Sequence, residues 1–178
     1  MKNLFIVGTP SHYFNLLECI EKFGFETSES ELIFINDNYW SSDQATENFI
    51  DNYIDVKKWK SVNRITLWDS MTQKIYSIDN IKKIFSLIFQ ILTKHILKKY
   101  DHLVVSQVEQ FYSKLFYFFV SANKVISLDE GNAVFRVLAN INNKRFKWPI
   151  PKSIIFFSSY DIKVQKYDTV VKCNYDFS

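Results

Sequence analysis

The sequence predicts an α/β protein built on a mostly parallel sheet with helices on both faces. Three observations point there. Short apolar runs of strand length alternate with amphipathic helical patterns along most of the chain, as in successive β-α units. The run Val125–Leu128 alternates poorly between apolar and polar, as a strand buried on both faces does. The glycines number only three in 178 residues, and all fall at element ends: Gly8 and Gly131 after strands, Gly24 after a helix.

In chain order, Leu4–Val7 is a first strand, broken by Gly8-Thr9-Pro10. Thr9 is a fair N-cap and Pro10 suits the first helical position. The helix that follows places Tyr13, Leu16, Leu17, Ile20 and Phe23 on one face, and Gly24 stops it. Glu31–Asn36 reads as a second, buried strand. Residues 43–59 read as a weaker helix with Phe49, Ile50, Tyr53 and Ile54 inward. Asn63–Trp68 is a third strand and Asp69–Ser77 a polar loop. Asp79 can cap a long helix over residues 80–99. Its apolar stripe is Ile81, Ile84, Phe85, Ile88, Ile91, Leu92 and Ile96, with His95 near the stripe's edge as a packing or capping residue. His102–Val105 is a fourth strand, 108–120 a strongly apolar helix, Lys124–Leu128 a fifth strand and 132–141 a shorter helix. A basic loop, Asn143–Pro151, precedes two more strands at 153–158 and 169–173. No internal repeat and no low-complexity linker interrupts the chain, which reads as a single Rossmann-like domain over residues 1–178.

Composition narrows the function classes. The chain is 47% hydrophobic, enough for a sizeable core, and its net charge of +3 is too weak to argue for nucleic acid. Cys19 and Cys173 lack the spacing of a disulfide framework or a zinc site. Cys19 falls in an apolar helical pattern, as a core thiol would. The N-terminal apolar run has strand length and no small-residue cleavage site, and no window reaches the roughly 18 apolar residues of a membrane span. An intracellular protein is the expectation. Lys82, Lys83, Lys94, Lys98 and Lys99 lie largely off the apolar stripe of their helix. They read as a solvated basic face; in the sharper reading they touch anionic lipid headgroups, a peripheral contact with the inner membrane surface. There is no GxGxxG and no Walker A sequence, so the sheet lacks the usual cradle for a diphosphate.

The stretch that carries chemistry is Val125-Ile-Ser-Leu-Asp-Glu-Gly131. A buried strand ends in two adjacent carboxylates and a glycine that permits a sharp turn. In an open α/β sheet the carboxyl end of a strand is where ligands bind. The bland alternative is a turn-forming Asp-Glu-Gly on a surface loop.

Asn3-Leu-Phe-Ile-Val-Gly-Thr-Pro10, followed by a helix containing Asn15-Leu16-Leu17, resembles the start of bacterial sialyltransferases and polysialyltransferases, glycosyltransferase family 52 and its capsule-forming relatives. Ile126-Ser-Leu-Asp-Glu-Gly131 looks like their acidic-acidic-glycine motif, and Ser153–Ser158 looks like a strand of the same half. The resemblance implies a GT-B enzyme of two Rossmann-like halves that acts on bacterial surface glycans such as lipooligosaccharide or capsule. The N-terminal half would supply the acceptor side and the acidic motif, and the other half would bind CMP-sialic acid through a His-Pro motif. This chain has no His-Pro dipeptide, and its last histidine is His102. It looks like the acceptor-side half without its donor-binding domain: a truncated chain, a remnant, or one partner of a donor domain carried on another polypeptide.

The acidic pair fits inverting transfer. A carboxylate at the sheet's edge can take the acceptor hydroxyl's proton as it attacks. Adjacent carboxylates raise each other's pKa, and successive strand residues face opposite sides, so one of Asp129 and Glu130 should face the cleft as base. Which one is left open. A monophosphate donor needs no divalent clamp, so neither a metal nor a resident cofactor is expected. Thr9 and Ser11, with Gly131 and Asn132, are the candidate acceptor-binding residues; for Thr9, simple N-capping is the alternative role. Two other readings compete: a non-catalytic binding module or remnant of the same fold, and a GT-B glycosyltransferase using another donor sugar.

Overall fold

A computed structural model describes residues 1–36, 43–67, 78–128, 133–143, 154–158 and 168–171. Seven strands form one sheet: β1 Asn3–Val7, β2 Glu31–Asn36, β3 Ser61–Thr66, β4 Lys99–Val105, β5 Ser121–Leu128, β6 Ile154–Ser158 and β7 Asp168–Val171. Their spatial order is β3-β2-β1-β4-β5-β6-β7, and every pairing is parallel. The helices are α1 Pro10–Phe23, α2 Asp43–Tyr53, α3 Ile78–Lys94, α4 Phe111–Phe119 and α5 Ala133–Asn142. This is a Rossmann-like α/β sheet.

The sheet explains the texture of the strands. β1, β2 and β6 are buried at every residue and are apolar apart from their end residues Asn3, Glu31, Asn36 and Ser158, as strands covered on both faces are. β3 lies at an edge and is half-buried throughout, which is why Ser61, Asn63 and Arg64 are tolerated there. One core layer holds Phe5, Val7, Phe34, Val104, Ile126 and Phe157 against Tyr13, Leu16 and Cys19 of α1 and Phe49 of α2. The other holds Leu4, Ile6, Ile33, Leu103 and Val125 against α3, α4 and α5 through Leu87, Ile91, Phe116 and Val137. The first half of the chain thus covers one face and α3 crosses to begin the other.

Local signals hold best at α1. Thr9 accepts a hydrogen bond from His12 N at 3.3 Å, and Pro10 opens the helix. Gly24 closes it in the left-handed region (φ 65°), with Gly24 N donating to Glu21 O and Phe25 N to Ile20 O. That is the paired-carbonyl closure in which glycine has no Cβ penalty. Cys19 is fully buried in the core, as expected, while Leu17, expected inward, is 39% exposed.

Elsewhere tertiary packing moves the expected boundaries. The helix expected over 43–59 ends at Tyr53, where Asp55 caps a 3₁₀ turn at Val56–Lys58. The turn buries Trp59 edge-on against Phe5, with centroids 5.7 Å apart. The third strand begins at Ser61 rather than Asn63, and the helix expected over 108–120 is confined to 111–119. α3 begins at Ile78, so Asp79 lies inside it rather than at its cap. It ends at Lys94 because Lys99 and Tyr100 already pair with Ser121 and Ala122 of β5. Of the expected stripe, Ile91 is buried and Ile88 packs against the core, whereas Ile81, Phe85 and Ile96 are exposed; Leu87, outside that stripe, is fully buried. No helix among the described residues is long and apolar enough to cross a membrane.

Candidate functional site

In a doubly wound sheet the crevice opens where the chain reverses its direction of travel across the strands, at their carboxyl ends. Here β1 has β2 on one side and β4 on the other, so the reversal lies between β1 and β4. Two turns frame it: Gly8-Thr9 into α1, and the segment from Ser106 to Gln110 into α4.

The β1 turn is tightly specified. Thr9 Oγ1 caps α1 and lies 2.8 Å from Ser11 Oγ. His12, fully buried, accepts from Gly8 N at 3.3 Å through Nδ1, so a neutral His12 carries its proton on Nε2. On the β4 side Ser106 N reaches Ile6 O at 3.1 Å, and Ser106 Oγ donates to the same carbonyl at 3.3 Å. That leaves Ser106 Oγ to accept from the Tyr112 hydroxyl, 3.1 Å away. A Cβ at Gly8 would overlap this hydroxyl and lie 3.4 Å from Ile35 O. Glycine is required at position 8 by close approach.

Buried polar side chains gather along this edge. Asn36, Thr9, Ser106, Gln107, Ser127 and Ser158 stand at or just past the carboxyl ends of β2, β1, β4, β5 and β6. A row of hydroxyls and amides there can orient a hydroxylated ligand by hydrogen bonds, though Thr9 and Ser106 are already bonded within the protein. A cavity near the end of β5, lined by Gln107, Ser127, Leu128, Phe156 and Phe157 among others, has only about 10 Å³. That is barely room for one water. A ligand at this edge would have to lie outside that cavity, in the open crevice.

Of the residues singled out in the sequence, Thr9 and Ser11 sit together at this edge, Thr9 buried and Ser11 exposed. Asp129, Glu130, Gly131 and Asn132 lie outside the described residues. β5 leads into them from Leu128, which is buried, and the carboxyl end of β5 is on the same edge as that of β1, with β4 between. Among the described residues no three His, Cys, Asp or Glu side chains come together as a ligand set for a metal. His12, Ser106 and Tyr112 were not legible as site neighbours. The only local signal was a histidine in the first turn after a strand, and the Gly8–Tyr112 approach has none.

No family model, curated protein or solved structure matches this chain. What stands is the fold, a Rossmann-like parallel sheet. The likeness to sialyltransferases rests on the short motifs themselves.

A cavity of about 270 Å³ lies elsewhere, between α3 and the β2–β3 edge of the sheet. It is the roomier of the two but stands away from the strand ends and turn amides that make the carboxyl edge of such a sheet a ligand site. Size alone does not make it the catalytic centre.

Proposed function

We propose that this domain is the acceptor side of a sialyltransferase-like glycosyltransferase acting on bacterial surface glycans, with one carboxylate of the Asp129–Glu130 pair as general base. The observation that supports it is the shared edge. Gly8-Thr9-Pro10 and the acidic motif, the two stretches with the strongest resemblance, follow strands that end on the same side of the sheet. Those strands are two spacings apart, about 10 Å. A sugar hydroxyl bound among Thr9, Ser11 and the buried row could then reach a carboxylate beyond Leu128. Transfer from CMP-sialic acid belongs to this reading, as does a peripheral contact with anionic lipid through exposed Phe85 and Phe89 and their neighbouring lysines.

The test has two stages. A lactose-type acceptor titrated into the protein should shift the backbone amide resonances of Gly8 to His12 and of residues 127–132. Shifts confined to the opposite edge would overturn the reading. In an active assembly that supplies the donor half, the amide variant of the base, Asp129→Asn or Glu130→Gln, should lose turnover by about two to four orders of magnitude. The acceptor KM should change far less, because the proton moves only in the transition state. Full turnover by both variants would leave the pair as turn chemistry and favour a non-catalytic binding module.

A further inference from the structure

The cavity beneath α3 has a lining unlike that of a packing defect. Ile33, Ile65, Ile91 and Phe116 supply apolar walls. Glu31 also lines it, but its carboxylate is already matched: Lys98 Nζ lies 2.8 and 3.0 Å from its two oxygens, and Lys60 Nζ 3.9 Å from one of them. His95 is buried with Nδ1 2.7 Å from the Tyr100 hydroxyl. Burial holds its imidazole below the usual range, so it adds no charge at neutral pH. Three further lining groups are unengaged. Among the described residues no carboxylate lies within ion-pair distance of Lys94, and the side chains of Asn63 and Gln90 make no hydrogen bond. The lining therefore combines apolar walls, one unmatched cation and two amides with donors to spare.

We propose that this cavity binds a small organic monocarboxylate. A single ring or short branched chain would lie against Ile33, Ile65, Ile91 and Phe116. Its carboxylate would meet Lys94, with amide donors from Gln90 and Asn63 completing the hydrogen bonds. The cavity falls just below the usual lower limit of ligand pockets, about 300 Å³, which suits a single ring better than a nucleotide or an oligosaccharide. The ligand class is thus different from that expected at the carboxyl edge. An amine would be repelled by Lys94, the unmatched cation of the lining.

Benzoate is a suitable probe, with benzamide and benzylamine as isosteric neutral and cationic controls, each titrated into the whole protein and followed by backbone amide resonances. Benzoate should shift residues of β2, β3 and the end of α3 saturably and bind about tenfold tighter than benzamide, with benzylamine weakest. Lys94→Gln, a surface change that leaves the fold intact, should weaken benzoate about three- to tenfold without affecting benzamide. Ile65→Trp, by filling the space, should abolish both. Glu31→Gln releases Lys98 and should tighten benzoate; weaker binding would mean that the carboxylate itself helps hold the ligand, and overturns the assignment of an anion. Equal binding of benzoate and benzamide, a preference for benzylamine, insensitivity to Lys94→Gln, or no saturable shift with any probe would each overturn the proposal.

Discussion

Gly8 stands where any side chain would run into the Tyr112 hydroxyl, and Tyr112 cannot yield easily because it is buried and bonded to Ser106. Gly8→Ala should cost about 1–3 kcal/mol, the usual penalty of overpacking a filled site. Tyr112→Phe removes the oxygen that clashes and one hydrogen bond, about 0.5–1.5 kcal/mol on its own. The double variant should therefore be more stable than the sum of the singles, as read from urea unfolding midpoints; strict additivity would show that the close approach is not what demands glycine. Gly24 is a glycine for another reason. Nothing lies near its missing Cβ, so Gly24→Ala should cost only the left-handed backbone penalty, about 1–2 kcal/mol. The imidazoles make a separate prediction. Burial, the dominant cause at both, holds His95 and His102 below the ordinary 6.5, against the opposing pull of Glu31 and Asp101. The folded state then binds these protons less readily than the unfolded chain. The associated stability is fully present above 6.5 and is lost as pH falls through the depressed folded values. The melting temperature should drop on acidification just below pH 6.5, ahead of the carboxylates, and His95→Gln should flatten that slope. Thr9 and Gly24 were legible from local chemistry; Tyr112 beside Gly8 was not, because the contact joins distant parts of the chain.

At the scale of elements, α1 and β2 were readable almost to the residue, since cap, proline, stripe and closing glycine agree at α1 and β2 is apolar over nearly all of its length. α3 was not. Its sequence offers apolar residues around most of its circumference, so a stripe through Ile91 can be extended by Ile81 and Phe85 as easily as by Leu87. Only contact with the sheet chooses, and it chooses Leu87, fully buried, while Phe85 stays 67% exposed. Leu87→Ala should thus cost about 2–5 kcal/mol as a core cavity, and Phe85→Ala no more than about 0.5 kcal/mol. Thermal or urea unfolding of the two variants checks it, and equal losses would mean that the helix is rotated. The shortened C-terminus of α3 has the same origin. Residues 95–99 suit a helix locally, but strand pairing at Lys99 and the His95–Tyr100 bond satisfy more groups there.

At the scale of the whole molecule, these 178 residues supplied with CMP-sialic acid and a lactose-type acceptor should show no turnover on the proposed reading, because they hold no His-Pro dipeptide, the motif the resemblance assigns to the donor half. Release of cytidine monophosphate that disappears in Asp129→Asn or Glu130→Gln would show that the donor binds within these residues. The sequence by itself determined the alternation of strands and helices, the parallel class of the sheet and the punctuation at Gly8 and Gly24. These follow from hydrophobic period, chain stiffness and capping, all of which act over a few residues. It also marked Thr9 and Ser11 at one strand end and Asp129 and Glu130 after another. Only the tertiary structure decided the order β3-β2-β1-β4-β5-β6-β7, and with it the reversal between β1 and β4 and the placing of β4 between β1 and β5. The bond from Lys98 to Glu31 and the cavity it helps line were decided there too. Strand order and side-chain meetings of this kind depend on which buried surfaces fit together across the sheet, and no stretch of a few residues carries that information.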